Sequence, residues 1–193
     1  MTKPVAVITG ASSGIGLEFA WRLAKEYDLL LVARRLDRLE HLAAEIIAAT
    51  GASIRVMEAD LSSEEDVDNL AICLRRETHL GLLVNNAGFG VVGRFWEASL
   101  AEQERMHALH VMTTLRLTHA ALRNMVARDT GSVINVASVA AFVSRAGSVS
   151  YGATKAWMVA FSEGVALDLQ AAGSRVTIQA LCPGFTYWSF TRC

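Results

Sequence analysis

A chain of 193 residues, 52% hydrophobic and only 19% charged, has the material for one domain with a large core, and this composition suits a sheet covered on both faces. A formal net charge of −1 argues against the basic surface that nucleic acid requires, and no apolar run reaches the roughly 18 residues needed to cross a membrane. Its three cysteines, Cys73, Cys182 and Cys193, are scattered and odd in number, matching neither a disulfide framework nor a metal pattern, so a reduced, cytoplasmic, soluble protein is expected.

Val5–Thr9 is a short, β-branched apolar run and reads as a buried strand. Gly10-Ala11-Ser12-Ser13-Gly14-Ile15-Gly16 follows at once, and Leu17–Lys25 then reads as a helix. A glycine-rich turn between a strand and a helix is a phosphate cradle: small residues allow close backbone approach, and the helix N-terminus offers oriented N–H groups. The second strand, Leu29–Ala33, ends in Arg34-Arg35, where an acidic residue would favour a free 2′-hydroxyl on a bound dinucleotide. Arginine there suits a 2′-phosphate instead, through charge-assisted bonds; the alternative is solvated charge opening the helix over 36–49. Ile54–Glu58 is a third strand, after which Asp60 either bonds an adenine amino group or caps the next helix with Ser62 or Ser63.

Helix signals run over 64–78, and a fourth strand, Leu82–Val84, enters Asn85-Asn86-Ala87-Gly88, a turn with amides able to hold neighbouring backbone. Residues 102–127 read as one long helix whose wide apolar surface suggests packing on the sheet and on a second subunit. His107 and His110 lie three apart on it, but no carboxylate or cysteine pattern supports a metal site, and none is expected. A fifth strand, Val133–Ala137, delivers Ser138; a helix over 151–171 begins with Tyr151-Gly152-Ala153-Thr154-Lys155; and a sixth strand, 176–181, leads to Cys182-Pro183-Gly184. The four-residue spacing puts the Tyr151 phenol and the Lys155 ammonium on one helix face, where the ammonium favours the phenolate and so proton exchange with a reacting oxygen. Strand and helix alternate throughout, which predicts a single α/β domain, a doubly wound parallel sheet with right-handed crossovers.

Taken in order, the glycine spacing after Thr9, Asn85-Asn86-Ala87-Gly88, Ser138 with Tyr151 and Lys155, and Pro183-Gly184 resemble a short-chain dehydrogenase/reductase of the Thr-Gly-x-x-x-Gly-x-Gly subgroup, over Val5 to about Thr186. The resemblance implies a Rossmann-type sheet in the order 3-2-1-4-5-6 and an oxidoreductase exchanging a hydride between NADP(H) and a small carbonyl or secondary-alcohol substrate. Tyr151 would be its general acid/base, Lys155 the group that assists Tyr151 and holds the nicotinamide ribose, and Ser138 the hydrogen-bond partner of the substrate oxygen. Gly10, Ser12, Ser13, Gly14, Ile15 and Gly16 would line the pyrophosphate, Arg34 with Ser13 and Arg35 the 2′-phosphate, Asp60 and Leu61 the adenine, and Asn86, Ala87 and Gly88 the adenosine side. Pro183, Gly184 and Thr186 would complete the cofactor cradle. A homodimer through the 102–127 and 151–171 helices is expected on the same ground.

The sequence departs from that pattern in three places. Leu109-His110-Val111 stands where relatives carry Leu-Asn-Val, so His110 either replaces the asparagine in a proton relay or is a packed histidine. Trp188 occupies a position where relatives carry threonine. Finally, Tyr187–Cys193 does not resemble the family, and the substrate-covering lid and seventh strand are expected to be missing, which raises a second expectation of a nucleotide-binding protein with weak or no turnover.

Overall fold

The structure, a computed structural model, describes residues 3–184. Six parallel strands form one sheet in the order β3-β2-β1-β4-β5-β6: β1 (Val5–Thr9), β2 (Asp28–Ala33), β3 (Ile54–Glu58), β4 (Leu80–Asn85), β5 (Ser132–Val136) and β6 (Thr177–Leu181). The apolar runs of β1, β2 and β4 are buried on both faces, as a sheet with two helical layers requires. β1 pairs with β2 on one side and β4 on the other, so consecutive crossovers leave β1 in opposite directions. The carboxyl ends of β1 and β4 therefore border the crevice where open α/β sheets take their ligands.

Helices α1 (Gly14–Leu23) and α2 (Leu36–Thr50) cover one face, where Ala20, Leu39, Leu42 and Ile46 pack on Ile8, Leu31 and Val84. Helix α3 (Glu64–Arg76) and the two long helical runs cover the other, where Leu70, Leu74, Leu117 and Met125 pack on Val7, Leu30, Leu83 and Val133.

The stretch expected as one helix over 102–127 is continuous but not uniform. α4 (Leu100–His107) passes into a π-helical turn over Ala108–Thr113 before α5 (Thr114–Arg128). The Thr113 hydroxyl donates to the Ala108 carbonyl five residues back, at 3.3 Å, and to the Leu61 carbonyl at 2.8 Å, which supports the widened turn. His110 lies on this turn and has no exposed surface. Helix α6 spans Val149–Ala171, so it starts two residues before Tyr151. Thr186 and the 187–193 tail lie outside the described residues.

Candidate active site

The glycine turn is built by close contact. Gly10 has φ +66°, and a Cβ there would stand 2.9 Å from the Ala87 Cα and from Asn86 Nδ2. A Cβ on Gly16 would come within 2.4 Å of the Gly10 carbonyl oxygen, so only glycine lets α1 close against the strand end. Gly14 is different: its φ is +57°, and nothing lies within 4 Å of where its Cβ would be. That open side faces the start of α1, whose N-cap Ser13 makes no side-chain capping bond, leaving helix-terminal N–H groups for an anion. Ser12 and Ile15 flank the same opening, partly exposed.

Asn86 anchors this turn from β4. Its backbone N–H donates to Thr9 Oγ1 at 2.9 Å, and its side-chain Nδ2 donates to the carbonyls of Thr9 and Gly10 at 2.9 and 3.2 Å. The Ala87 N–H also reaches Thr9 Oγ1, at 3.0 Å. Thr9 thus clamps the ends of β1 and β4 together, a role its neighbours in sequence do not reveal. Gly88 is needed for a separate reason, because a Cβ on it would lie 2.7 Å from His110 Nε2.

At the end of β2 the two arginines part. Arg35, rather than Arg34, reaches the glycine turn, donating to Ser12 Oγ at 3.2 Å and Ser13 Oγ at 3.5 Å. Arg34 lines a cleft of about 390 Å³ with Glu58, Ala59, Asp60 and Asp66. Asp60 accepts from the backbone N–H and hydroxyl of Ser62, at 3.0 and 2.7 Å, while its own N–H donates to Asp66. Burial raises the Asp60 carboxyl, but the Ser62 bonds and the charges of Arg34 and Arg105 outweigh it and leave the group below its usual range. Asp60 therefore takes part in the turn that opens α3, and its side chain still borders the cleft. Leu61 is buried, with its carbonyl bound to Thr113.

Across the crevice, Ser138 follows β5 and opens a 3₁₀ turn over Val139–Ala141, its hydroxyl accepting from the Ala140 N–H at 3.1 Å. The first turn of α6 lies directly on this turn, since a Cβ on Gly152 would be 3.2 Å from the Ala140 carbonyl oxygen. Pro183 closes the same corner, its carbonyl accepting from the Val139 N–H at 3.1 Å, and Gly184 follows it. Ser138, Tyr151 and Pro183-Gly184 thus converge from three elements.

Lys155 is 5% exposed, and its Nζ lies 5.7 Å from the centroid of the Tyr151 ring. It donates to the Val136 carbonyl at 2.8 Å and touches Met158 Sδ at 3.5 Å. Burial pushes the ammonium down to about 8, against a smaller opposing effect of Cys182. Beneath it runs a buried polar ladder: Asn85 Nδ2 to Thr118 Oγ1 and to Asn135 Oδ1, and Asn135 Nδ2 to Ser162 Oγ. His110, from the π turn, places its ring 5.8 Å from that of Tyr151 in an edge-on arrangement. Its Nδ1 lies 2.9 Å from Thr154 Oγ1, and its Nε2 accepts from the Phe89 N–H at 3.3 Å. Both ring nitrogens are used, and among the described residues no group of three or more His, Cys, Asp or Glu side chains gathers as metal ligands do.

The geometry joins a phenol, an ammonium and a hydroxyl at one side of the crevice to an anion-ready glycine turn at the other. It suits proton exchange at an oxygen held beside a phosphate-bearing cofactor.

Comparison with known proteins agrees with that reading. The family model for short chain dehydrogenase matches residues 4–192. The 7beta-hydroxysteroid dehydrogenase of Clostridium sardiniense is 32% identical over 181 residues, covering 93% of this chain and 68% of that protein. Among solved structures, the bulky-bulky ketone specific alcohol dehydrogenase from Comamonas testosteroni superposes with a TM-score of 0.92 at 36% identity, covering 97% of this chain and 75% of that one. A short-chain dehydrogenase from Sphingobium yanoikuyae in complex with NADPH also gives 0.92, at 37% identity over 96% of this chain and 72% of that one.

Proposed function

The chain belongs to the short-chain dehydrogenase family, an oxidoreductase built for a nicotinamide cofactor, and from that premise we propose that it uses NADP(H) to interconvert a carbonyl compound and a secondary alcohol. The observation that carries the proposal is the Tyr151–Lys155 pair on α6, 5.7 Å from ammonium to ring centroid, brought against Ser138 by the packing of Gly152 on Ala140.

When bound, the cofactor supplies or accepts the hydride. Gly14 and the uncapped start of α1 hold its pyrophosphate; Arg35 with Ser12 and Ser13 takes the 2′-phosphate; Arg34 and Asp60 border the adenosine cleft with Leu61 behind them. Asn86, Ala87 and Gly88 hold the floor of the crevice, and Pro183-Gly184 its far corner. The Tyr151 hydroxyl gives its proton to the carbonyl oxygen during reduction and takes it back during oxidation. Lys155, held by Val136, places positive charge beside the phenol. The Ser138 hydroxyl donates to the substrate oxygen and fixes it for that transfer. Met112, Leu115 and Leu167 leave apolar surface on the π turn, α5 and α6, which supports a homodimer through these helices.

Loss of NADPH absorbance with a panel of ketones and aldehydes tests the function. Tyr151→Phe is expected to lower turnover by a factor of about 10² to 10⁴ while NADPH binding, read by its fluorescence, stays within about twofold. Turnover unaffected by that substitution would overturn the assignment.

A further inference from the structure

Two buried side chains behind the Tyr151 face, His110 and Gln103, take no part in the chemistry proposed above, yet both connect the same two elements. His110 has no exposed surface. Because its Nε2 accepts the Phe89 N–H, the ring proton resides on Nδ1 and is donated to Thr154 Oγ1, whose hydroxyl donates in turn to the Tyr151 carbonyl at 2.8 Å. Burial above all, with the charges of Lys155 and His107, pushes the imidazole down to about 2, so it is neutral at working pH. A neutral ring with both nitrogens engaged serves as a strut.

Gln103, on α4, is 7% exposed. Its Nε2 donates to the Phe95 and Ala98 carbonyls at 3.3 and 3.2 Å, and its Oε1 accepts from the Ser150 hydroxyl, next to Tyr151. The connection between β4 and α4 is therefore tied to the first turns of α6 at both of its ends, by His110 near Phe89 and by Gln103 near Phe95. Between them the Gly93 N–H donates to the Gly147 carbonyl at 3.0 Å, and a Cβ on Gly90 would lie 3.8 Å from the Tyr151 ring.

What this braced segment presents outward is apolar. Val92 is 86% exposed, Phe95 55% and Trp96 78%, and Phe142, Val143 and Val149 are exposed on the facing segment. Its two charged side chains pair with each other, Arg94 with Glu97 at 3.2 Å. Arg145 is the one charged residue of the facing segment. A polyhydroxylated substrate needs donors and acceptors where these side chains offer carbon, whereas an aryl or alkyl group gains by burying them.

We propose that His110 and Gln103 are positioning residues that lock the 89–98 segment onto the catalytic helix, so that Val92, Phe95 and Trp96 form a fixed wall selecting carbonyl substrates with a bulky apolar group. The proposal rests on the oxidoreductase reading above. The wall is tested with 1-phenylpropan-1-one against dihydroxyacetone, and the brace with trypsin, which cuts after the exposed Arg94 when the segment comes loose.

The phenyl ketone is expected to have kcat/KM at least about tenfold above dihydroxyacetone. Gln103→Met, which keeps the volume and removes the bonds, raises KM for the phenyl ketone with kcat unchanged, leaves dihydroxyacetone unaffected, and speeds cleavage after Arg94 by about tenfold. Ser150→Ala gives a smaller change in the same direction, and His110→Phe lowers kcat for both ketones without altering the shape of the pH profile. Equal kcat/KM for the two ketones overturns the wall, and unchanged cleavage in Gln103→Met overturns the brace. Cleavage that slows as wild-type protein concentration rises also overturns the substrate assignment, because a second copy then covers the wall. If neither ketone is turned over and Tyr151→Phe changes nothing, the oxidoreductase reading fails, while the cleavage assay still decides the brace.

Discussion

The two sides of the crevice are built by different means. On the β1–β2 side the site is made of backbone: Gly10 and Gly16 pack where any Cβ would collide, and Gly14 holds a left-handed turn over open space. On the β4–β6 side it is made of buried polar side chains, with Lys155, His110, Thr154, Asn85 and Asn135 carrying the hydrogen bonds. A backbone site tolerates no added atom where it is packed, at Gly10 and Gly16, but is indifferent to pH. A buried side-chain site tolerates changes of shape better, but it stores the cost of holding ionisable groups away from water.

The sharpest break of the contrast is Gly16→Val. Its Cβ would meet the Gly10 carbonyl at 2.4 Å and Asn86 Nδ2 at 2.6 Å, and neither can retreat without opening the β1–β4 clamp. A loss of about 3 kcal/mol or more is expected in urea unfolding.

The next effect belongs to the other side and is a pH effect. Lys155 stands at about 8 in the folded protein, below its ordinary 10.5, so between these values the unfolded chain binds more protons than the folded one. Stability rises with pH through this window. Wild type should gain about 2 kcal/mol relative to Lys155→Met from about pH 7 to about pH 9.5, read as the difference between two unfolding series. His110 acts in the same sense at lower pH: its imidazole is neutral when folded and protonated when unfolded, so stability falls as pH drops below 6.5, and His110→Phe should remove that loss.

Arg35→Ala comes next, with an expected drop of about tenfold in NADPH affinity and none in NADH affinity, measured by fluorescence titration. Arg34→Ala should change the two affinities less unequally, because that guanidinium faces Asp60 instead of the glycine turn. The smallest effect is Gly14→Ala. No neighbour obstructs the new methyl, so only the positive φ is penalised, by about 1 kcal/mol. A Gly14→Ala cost as large as that of Gly16→Val would erase the distinction between a packed glycine and an open one.

The six strands alternating with helices and the glycine turn were legible in the sequence, the strand order came with the family resemblance, and the Ser138, Tyr151 and Lys155 set stands as the proposal made above. The local readings rest on apolar runs of strand length separated by helical stretches, small residues at a strand–helix junction, and a four-residue interval on one helix. Other features depended on contacts between residues far apart in the chain. That Arg35 and not Arg34 turns toward Ser12 and Ser13 depends on how β2 ends against α1. Thr154 and Gln103 gave no usable signal, because a hydroxyl or amide says nothing alone about which distant carbonyl it will meet.

His110 shows where that boundary falls. Its position opposite an expected asparagine was visible in the sequence, and so was the choice between relay and packed histidine. Its burial on a π turn, and the Phe89 N–H and Thr154 hydroxyl that occupy its two nitrogens, were decided by the fold. Sequence by itself determined the alternation of strand and helix and the place of the glycine turn, because periodicity and backbone freedom are local properties. Only the folded chain decided which polar groups are buried against which partners, because burial and hydrogen bonding are set by elements that are distant along the chain and adjacent in space.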